Sequence, residues 1–260
     1  MPPENPAPRS LHQAASRVPG LLPAYRRIKE HLKTDPLATA IYRKVFDRNR
    51  LRLPLVKPED LCPASGGIWL PAGYPLFAGE DAPLADMLFL LNLAKGRQAR
   101  RIMEVGTYRA RTTYALHLNC PEAAVVSYDI QVLDSPYRRA LGKEPRVELR
   151  HASFAASAEV LRREPRYDFI FVDGSHRLEQ VLEDSRLALE LAAPGGIVVW
   201  HDYRPNDYFT KELRVPEALE TVRQSVPVQA VAGTMCAVYV KQTDPLVSIP
   251  PSSPFPSVQF

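Results

Sequence analysis

The chain has 260 residues, 45% of them hydrophobic, with a formal net charge of +4. That length suits one sizeable domain with appended segments, and the apolar share is enough to fill a core. The longest apolar stretch, 83–94, contains Asp86 and falls short of the about 20 residues a bilayer-spanning helix needs. The first ten residues show no charged region followed by an apolar block, so no secretory signal is expected. The three cysteines, Cys62, Cys120 and Cys236, lie far apart without metal-ligand spacing and read as reduced thiols. Together these features lead us to expect a cytoplasmic location and no membrane partner. The charge excess is local. Residues 1–60 carry 12 Lys/Arg against 6 Asp/Glu, which leaves the rest slightly acidic. A basic segment of this kind can favour an acidic partner, but more often it is a solvated helix face. No arginine–aromatic patch stands out, so no nucleic-acid partner is expected.

Residues 1–19 are rich in Pro, Ala and Ser and are expected to be disordered. From 21 to 49, Tyr25, Ile28, Leu32, Leu37, Ile41 and Val45 recur at helical spacing, with a break at Asp35-Pro36. Two helices are expected there. The stretch 51–75 reads as a loop carrying an exposed Trp69. The whole segment 20–80 is taken as an extension, either a substrate lid or a contact for a homodimer. A helix over 82–95 delivers the chain to the first strand. Strands at 101–105, 125–130, 147–152, 168–172 and 197–200 then alternate with helices at 110–119, 137–142, 154–163, 178–192 and 215–224. Two further strands, 228–232 and 237–241, form a closing pair. This pattern defines an α/β fold with a doubly wound, mostly parallel seven-stranded sheet over 81–241. The remaining 242–260, with five prolines from 245 onward, read as a flexible tail.

The stretch 101–113, RIMEVGTYRARTT, organises the rest. A buried strand ends in Glu104, Gly106 makes a tight turn, and a helix opens. This is a nucleotide-sized corner. A dinucleotide site wants G-x-G-x-x-G to wrap a pyrophosphate, and only Gly106 is present. A carboxylate at Glu104 suits a positively charged ligand group, such as an α-amino group. Asp129 follows Gly106 by 23 residues, the place for an acid that accepts ribose hydroxyls. That feature alone fits a nicotinamide cofactor equally well. Polar residues close the other strands too: Ser153, then Asp173-Gly174-Ser175-His176, then His201-Asp202. Adjacent strands lie about 4.8 Å apart, so Asp173 and Asp202 can face one cleft. Two carboxylates and an imidazole can hold a divalent cation. Oxygen ligands favour Mg²⁺, whereas the softer imidazole of His201 also admits Mn²⁺, Fe²⁺, Zn²⁺ or no metal.

The motif E-V-G-T-Y-R-A-R-T resembles the first motif of class I S-adenosylmethionine-dependent methyltransferases. It is most similar to the catechol O-methyltransferase type, E-hydrophobic-G-x-Y-x-G-x-S, with Ala110 where that family has glycine. The run D-G-S-H, followed by P-G-G and H-D, also resembles natural-product enzymes of the macrocin O-methyltransferase kind. The resemblance covers about 80–241. It implies an S-adenosylmethionine site built from Glu104, Gly106, Tyr108, Thr112, Asp129, Ser153, Asp173 and Gly174. It implies a metal site, Mg²⁺ or Mn²⁺, at Asp173, His201 and Asp202. His176 stands where the catechol type has its lysine base. A histidine can take a proton there, its ordinary pKa of about 6.5 leaving it largely neutral at pH 7. His176 also reads as a helix cap or an adenine contact. The expected reaction is methyl transfer to a hydroxyl of a small molecule. The alternatives are a metal-independent N- or C-methyltransferase, an oxidoreductase, and a non-catalytic protein that keeps the fold.

Overall fold

The computed structural model describes residues 52–62, 65–71, 83–204 and 213–243. The two helices expected within 21–49, the disorder expected at 1–19 and most of the tail lie outside these residues.

The alternation of apolar strands and helices appears as expected, and the strands join one sheet. Strand β1 is Leu55–Val56, followed by the single-turn helix α1, Pro58–Leu61. Helix α2 (Leu84–Gly96) leads into β2 (Arg101–Val105), α3 (Arg111–Asn119) and β3 (Ala124–Asp129). Then come α4 (Pro136–Leu141), β4 (Val147–His151), a 3₁₀ turn at Ala155–Ser157 and α5 (Ala158–Leu161). Strand β5 (Tyr167–Val172), α6 (Leu178–Leu191), β6 (Ala192–Trp200), α7 (Val215–Val222), β7 (Gln229–Val231) and β8 (Ala237–Val240) are the remaining described elements. The strand order is β1-β7-β8-β6-β5-β2-β3-β4. Neighbours run parallel except β8, which is antiparallel to both β6 and β7.

Three details depart from the sequence reading. Among the described residues the sheet has eight strands, not seven, because Leu55–Val56 pairs in parallel with β7 inside the stretch read as loop. Tyr203 anchors it: its hydroxyl accepts from the Leu53 N–H at 2.8 Å. The turn expected at Pro194-Gly195-Gly196 is an irregularity inside β6, where the register against β5 shifts between Tyr167 and Phe169. Gly195 takes φ +74° there, a conformation glycine adopts freely. The helix expected over 154–163 shrinks to the 3₁₀ turn and one α turn.

Strand alternation decides what each face carries. Ile102, Val125, Phe169, Phe171, Ile197 and Val199 pack on one side with α2 and α3. Met103, Val105, Val126, Ile170, Val172, Val198 and Trp200 pack on the other with α6 and α7. Period two then places Glu104 and Ser127 on the α2/α3 side. One residue past their strands, Asp173 and His201 continue the same alternation. The carboxyl edge of the sheet therefore gathers its polar groups under α2 and α3.

Candidate functional site

Gly106 makes the corner possible. It has φ +104°, and a Cβ built on it would lie 2.1 Å from the Asp173 carbonyl oxygen. The loops after β2 and β5 touch backbone to backbone, which a side chain would prevent. The loop then spends its amides on itself. Gly106 and Thr107 N–H both donate to Tyr128 O, at 2.8 and 3.2 Å, and Ala110 N–H donates to Thr107 O. Tyr108 N–H donates to Asp129 Oδ2 at 2.6 Å. A loop whose N–H groups are used this way is a poor cradle for pyrophosphate, which counts against a dinucleotide. Ala110 sits fully buried at φ +60°, a left-handed conformation that glycine adopts more readily than alanine.

Glu104 is completely buried. Its Oε2 accepts from Thr113 Oγ1 on α3 and from Ser127 Oγ on β3. Ser127 also shares a hydrogen bond with Thr107 at 2.6 Å. Among the described residues nothing donates to Oε1. Burial pushes the carboxyl up to about 8, against the pull of the Ser127 and Thr113 hydrogen bonds, with the charges of Asp173 and Asp129 adding to the rise. An unpaired buried carboxylate oxygen is costly, and a ligand ammonium would relieve it. Thr113, Ser127 and Thr107 were not read as site residues in the sequence. Ser127 lies opposite Glu104 in the β2–β3 register, and that register is what brings it in.

Asp129 fits a ribose diol. Each of its oxygens takes one backbone N–H, from Tyr108 and from Gln131, and each keeps a lone pair for a hydroxyl. Thr112 is half-buried in the first turn of α3, beside the buried Thr113 that holds Glu104. Ser153 closes β4 and caps the 3₁₀ turn, accepting from Ala156 N–H. It also lines a cavity of about 420 Å³ against Arg162, Glu183, Arg186 and Glu190.

The second half of the site is a tight charge cluster. His201 Nδ1 lies 3.2 Å from Asp173 Oδ1 and 3.5 Å from Asp202 Oδ1. Asp202 takes φ +56°, a left-handed turn that aspartate tolerates. That turn lets two successive residues, 201 and 202, address one point, which an extended strand would forbid. His176 Nε2 stands 2.6 Å from Asp202 Oδ2, off the axis of its ring N–H, and so forms an ion pair rather than an in-line hydrogen bond. Burial alone would lower His201, but Asp173 and Asp202 outweigh it and hold the imidazole well above its usual value. The Asp202 contact raises His176. Burial alone would raise Asp202, but the two imidazoles hold it well below the usual carboxylate range. The Asp202 contact thus shifts His176 toward its protonated form.

The residue the sequence reading passed over is Asp86. It appears there only as a charge interrupting an apolar run. In the structure its side chain is 3% exposed, and its Oδ2 lies 2.9 Å from His201 Nε2. A charge inside an apolar helix was the available signal, because it needs a buried partner.

The donor atoms of Asp173, His201 and Asp202 all lie within 4.8 Å of one another. The set of two carboxylates and one imidazole suits a divalent cation. Cys62, Cys120 and Cys236 are all buried. Among the described residues no helix is long and apolar enough to cross a membrane.

Comparison with known proteins agrees with this geometry. Residues 88–203 match the family model described as a methyltransferase domain. No curated protein matches the chain. Among solved structures, the O-methyltransferase TomG of Streptomyces achromogenes, involved in tomaymycin synthesis and bound to SAM, is 22% identical. That match covers 58% of this chain and 78% of that one, with a TM-score of 0.45. A Bacillus cereus O-methyltransferase in complex with SAH is 20% identical over 63% of this chain and 84% of that one, with a TM-score of 0.47. A Klebsiella pneumoniae structure described as a putative O-methyltransferase is 18% identical over 78% and 96%, with a TM-score of 0.48. Likenesses this distant carry no chemistry. The family match and the corner around Glu104 and Gly106 agree with each other: residues 88–203, somewhat under half of the chain, are similar to a methyltransferase domain.

Proposed function

We propose that the protein transfers the methyl group of S-adenosylmethionine to a hydroxyl of a small molecule, with a divalent cation held by Asp173, His201 and Asp202. The observation that carries this reading is the convergence of those three donor groups at the sheet edge that also presents Glu104 and Asp129. Glu104 Oε1 would receive the α-amino group of the cofactor, and Asp129 the ribose hydroxyls. Tyr108, Thr112, Ser153 and Gly174 would line the rest of the cofactor's path.

The transfer is a direct displacement. The substrate oxygen attacks the methyl carbon, the carbon–sulfur bond breaks, and sulfur keeps the electron pair as a neutral thioether. The hydroxyl proton passes to His176 in its neutral form. A bound cation would lower the pKa of the attacking hydroxyl. Most of the acceleration comes from alignment, which the rigid strand ends supply. Any group that competes with His176 for Asp202 frees the imidazole to accept a proton.

A second reading has an observation of its own. His176 and His201 are both held toward the protonated form, and their charges would offset those of Asp173 and Asp202 without a cation. In that case the acceptor would be a nitrogen or a carbon. One experiment separates the two. Methyl transfer to a panel of hydroxylated and amine acceptors is measured with EDTA and with added Mg²⁺ or Mn²⁺, for wild type and Asp202→Ala. The cation reading expects activity lost in EDTA, restored by metal, and absent in Asp202→Ala with cofactor affinity kept. Full turnover in EDTA overturns it.

A further inference from the structure

We infer that Asp86 is the positioning residue of this site, fixing His201 with its Nε2–H turned inward so that Nδ1, facing Asp173 and Asp202, is the nitrogen left to a cation bound between them. The inference rests on the proposed cation site and says which residue outside it sets the ligand geometry.

Asp86 lies in the first turn of α2, in a stretch that is otherwise apolar from Met87 to Leu91. A carboxylate there pays for its burial only through its partners. It has two, and they come from distant parts of the chain. Oδ1 accepts from the Met235 N–H, in the turn between β7 and β8, at 3.0 Å. Oδ2 faces His201 Nε2, at the end of β6, at 2.9 Å. One oxygen is therefore clamped by backbone, and the other can only accept. A carboxylate oxygen opposite a ring nitrogen requires that nitrogen to carry the proton. By the same rule Nδ1 carries a proton toward Asp173 and Asp202 until a cation takes its place, and with Nε2–H held by Asp86 it is Nδ1 that would give up its proton to such a cation. It is Nδ1 that lies nearest Asp173 and Asp202. Phe171 stands edge-on to the ring at 6.1 Å between centroids and fills the space beside it.

This is the arrangement by which a carboxylate fixes the tautomer of a metal-bound histidine through its other nitrogen. A competing arrangement uses the same atoms differently. Asp86, His201 and the buried Cys236 also bring three donor atoms within 4.8 Å. That trio would need Nε2 as its ligand, and Nε2 is committed to Asp86. Burial also pushes the Cys236 thiol far up, which disfavours the thiolate a metal would need. The side of the ring that faces Asp173 and Asp202 is the Nδ1 side.

The test uses Asp86→Asn in the full chain. The amide can keep its oxygen on the Met235 N–H while turning its NH₂ toward Nε2. That reverses the tautomer and points an N–H at the cation. Mn²⁺ binding is followed by electron paramagnetic resonance and S-adenosylhomocysteine binding by calorimetry. The expected result is a 10- to 100-fold loss of Mn²⁺ affinity with cofactor affinity held within about twofold. Equal Mn²⁺ affinity in the two proteins overturns the inference and leaves the cation site standing. No Mn²⁺ binding by wild type overturns both. A second measurement needs no variant. The ¹⁵N spectrum of histidine-labelled wild type, saturated with Mg²⁺, is expected to show His201 protonated at Nε2 alone. A proton on Nδ1 in that state overturns the inference. A merely structural Asp86 would lower the unfolding midpoint without changing the tautomer.

Discussion

Glu104 is the residue whose chemistry is most exposed to test. Its carboxyl sits at about 8 in the folded chain against about 4.5 when unfolded. Between those values the folded state binds the extra proton. Its stabilising share is therefore full below about pH 4.5 and is lost as pH rises toward 8. Glu104→Gln cannot titrate and should remove that slope. Urea unfolding at pH 5 and 8 is expected to show wild type losing about 2 kcal/mol or more relative to the variant; parallel curves would contradict the assignment. His176 and His201 tilt stability the same way, so the comparison between variant and wild type is the informative one. Gly106→Ala sets a methyl against the Asp173 carbonyl at a positive φ. A loss of about 3 kcal/mol is expected, read from the urea midpoint. Glu104, Gly106 and Asp129 were legible because each ends an apolar run at a recognisable spacing. Thr113 and Ser127 were not, because a hydroxyl pointing at a buried acid is set by cross-strand register and helix phase. Asp86 was visible only as an interruption, since its partner lies 115 residues away.

Among the described elements, the long ones were read well, and the misses fall on short or irregular pieces. Helix α6 and strands β2, β3 and β5 carry enough apolar periodicity to declare themselves. Strand β1 has two residues between prolines and no periodicity to offer. It exists because β7 leaves an edge open and Tyr203 holds the incoming chain. The Tyr203 hydroxyl is the sole acceptor given to the buried Leu53 N–H among the described residues. Tyr203→Phe keeps the ring in the core and removes that acceptor. The expected cost is about 1–3 kcal/mol, with faster amide exchange at Leu53, Leu55 and Val56. Unchanged exchange there would show that β1 is held by its ladder alone. The irregular start of β6 was missed for a related reason. Pro194-Gly195-Gly196 is the composition of a turn, and only the Lys241 backbone, bonding to both glycines, draws it into the sheet.

For the molecule as a whole, sheet alternation does the assembling. It sends Glu104, Ser127, Asp173 and His201 toward α2 and α3, and α2 returns Asp86 to the same point. The corner around Glu104 and Gly106 and the charge cluster are then two halves of one edge, joined where Gly106 touches Asp173. The measurement that tests this most directly is calorimetric titration of the full chain with S-adenosylhomocysteine, with NAD as the comparison and Glu104→Gln as the variant. One site of micromolar affinity is expected, weakened about tenfold or more in Glu104→Gln because the ligand ammonium loses its charged partner, with no heat from NAD. Binding of NAD without S-adenosylhomocysteine, or equal affinity in the variant, would contradict the account.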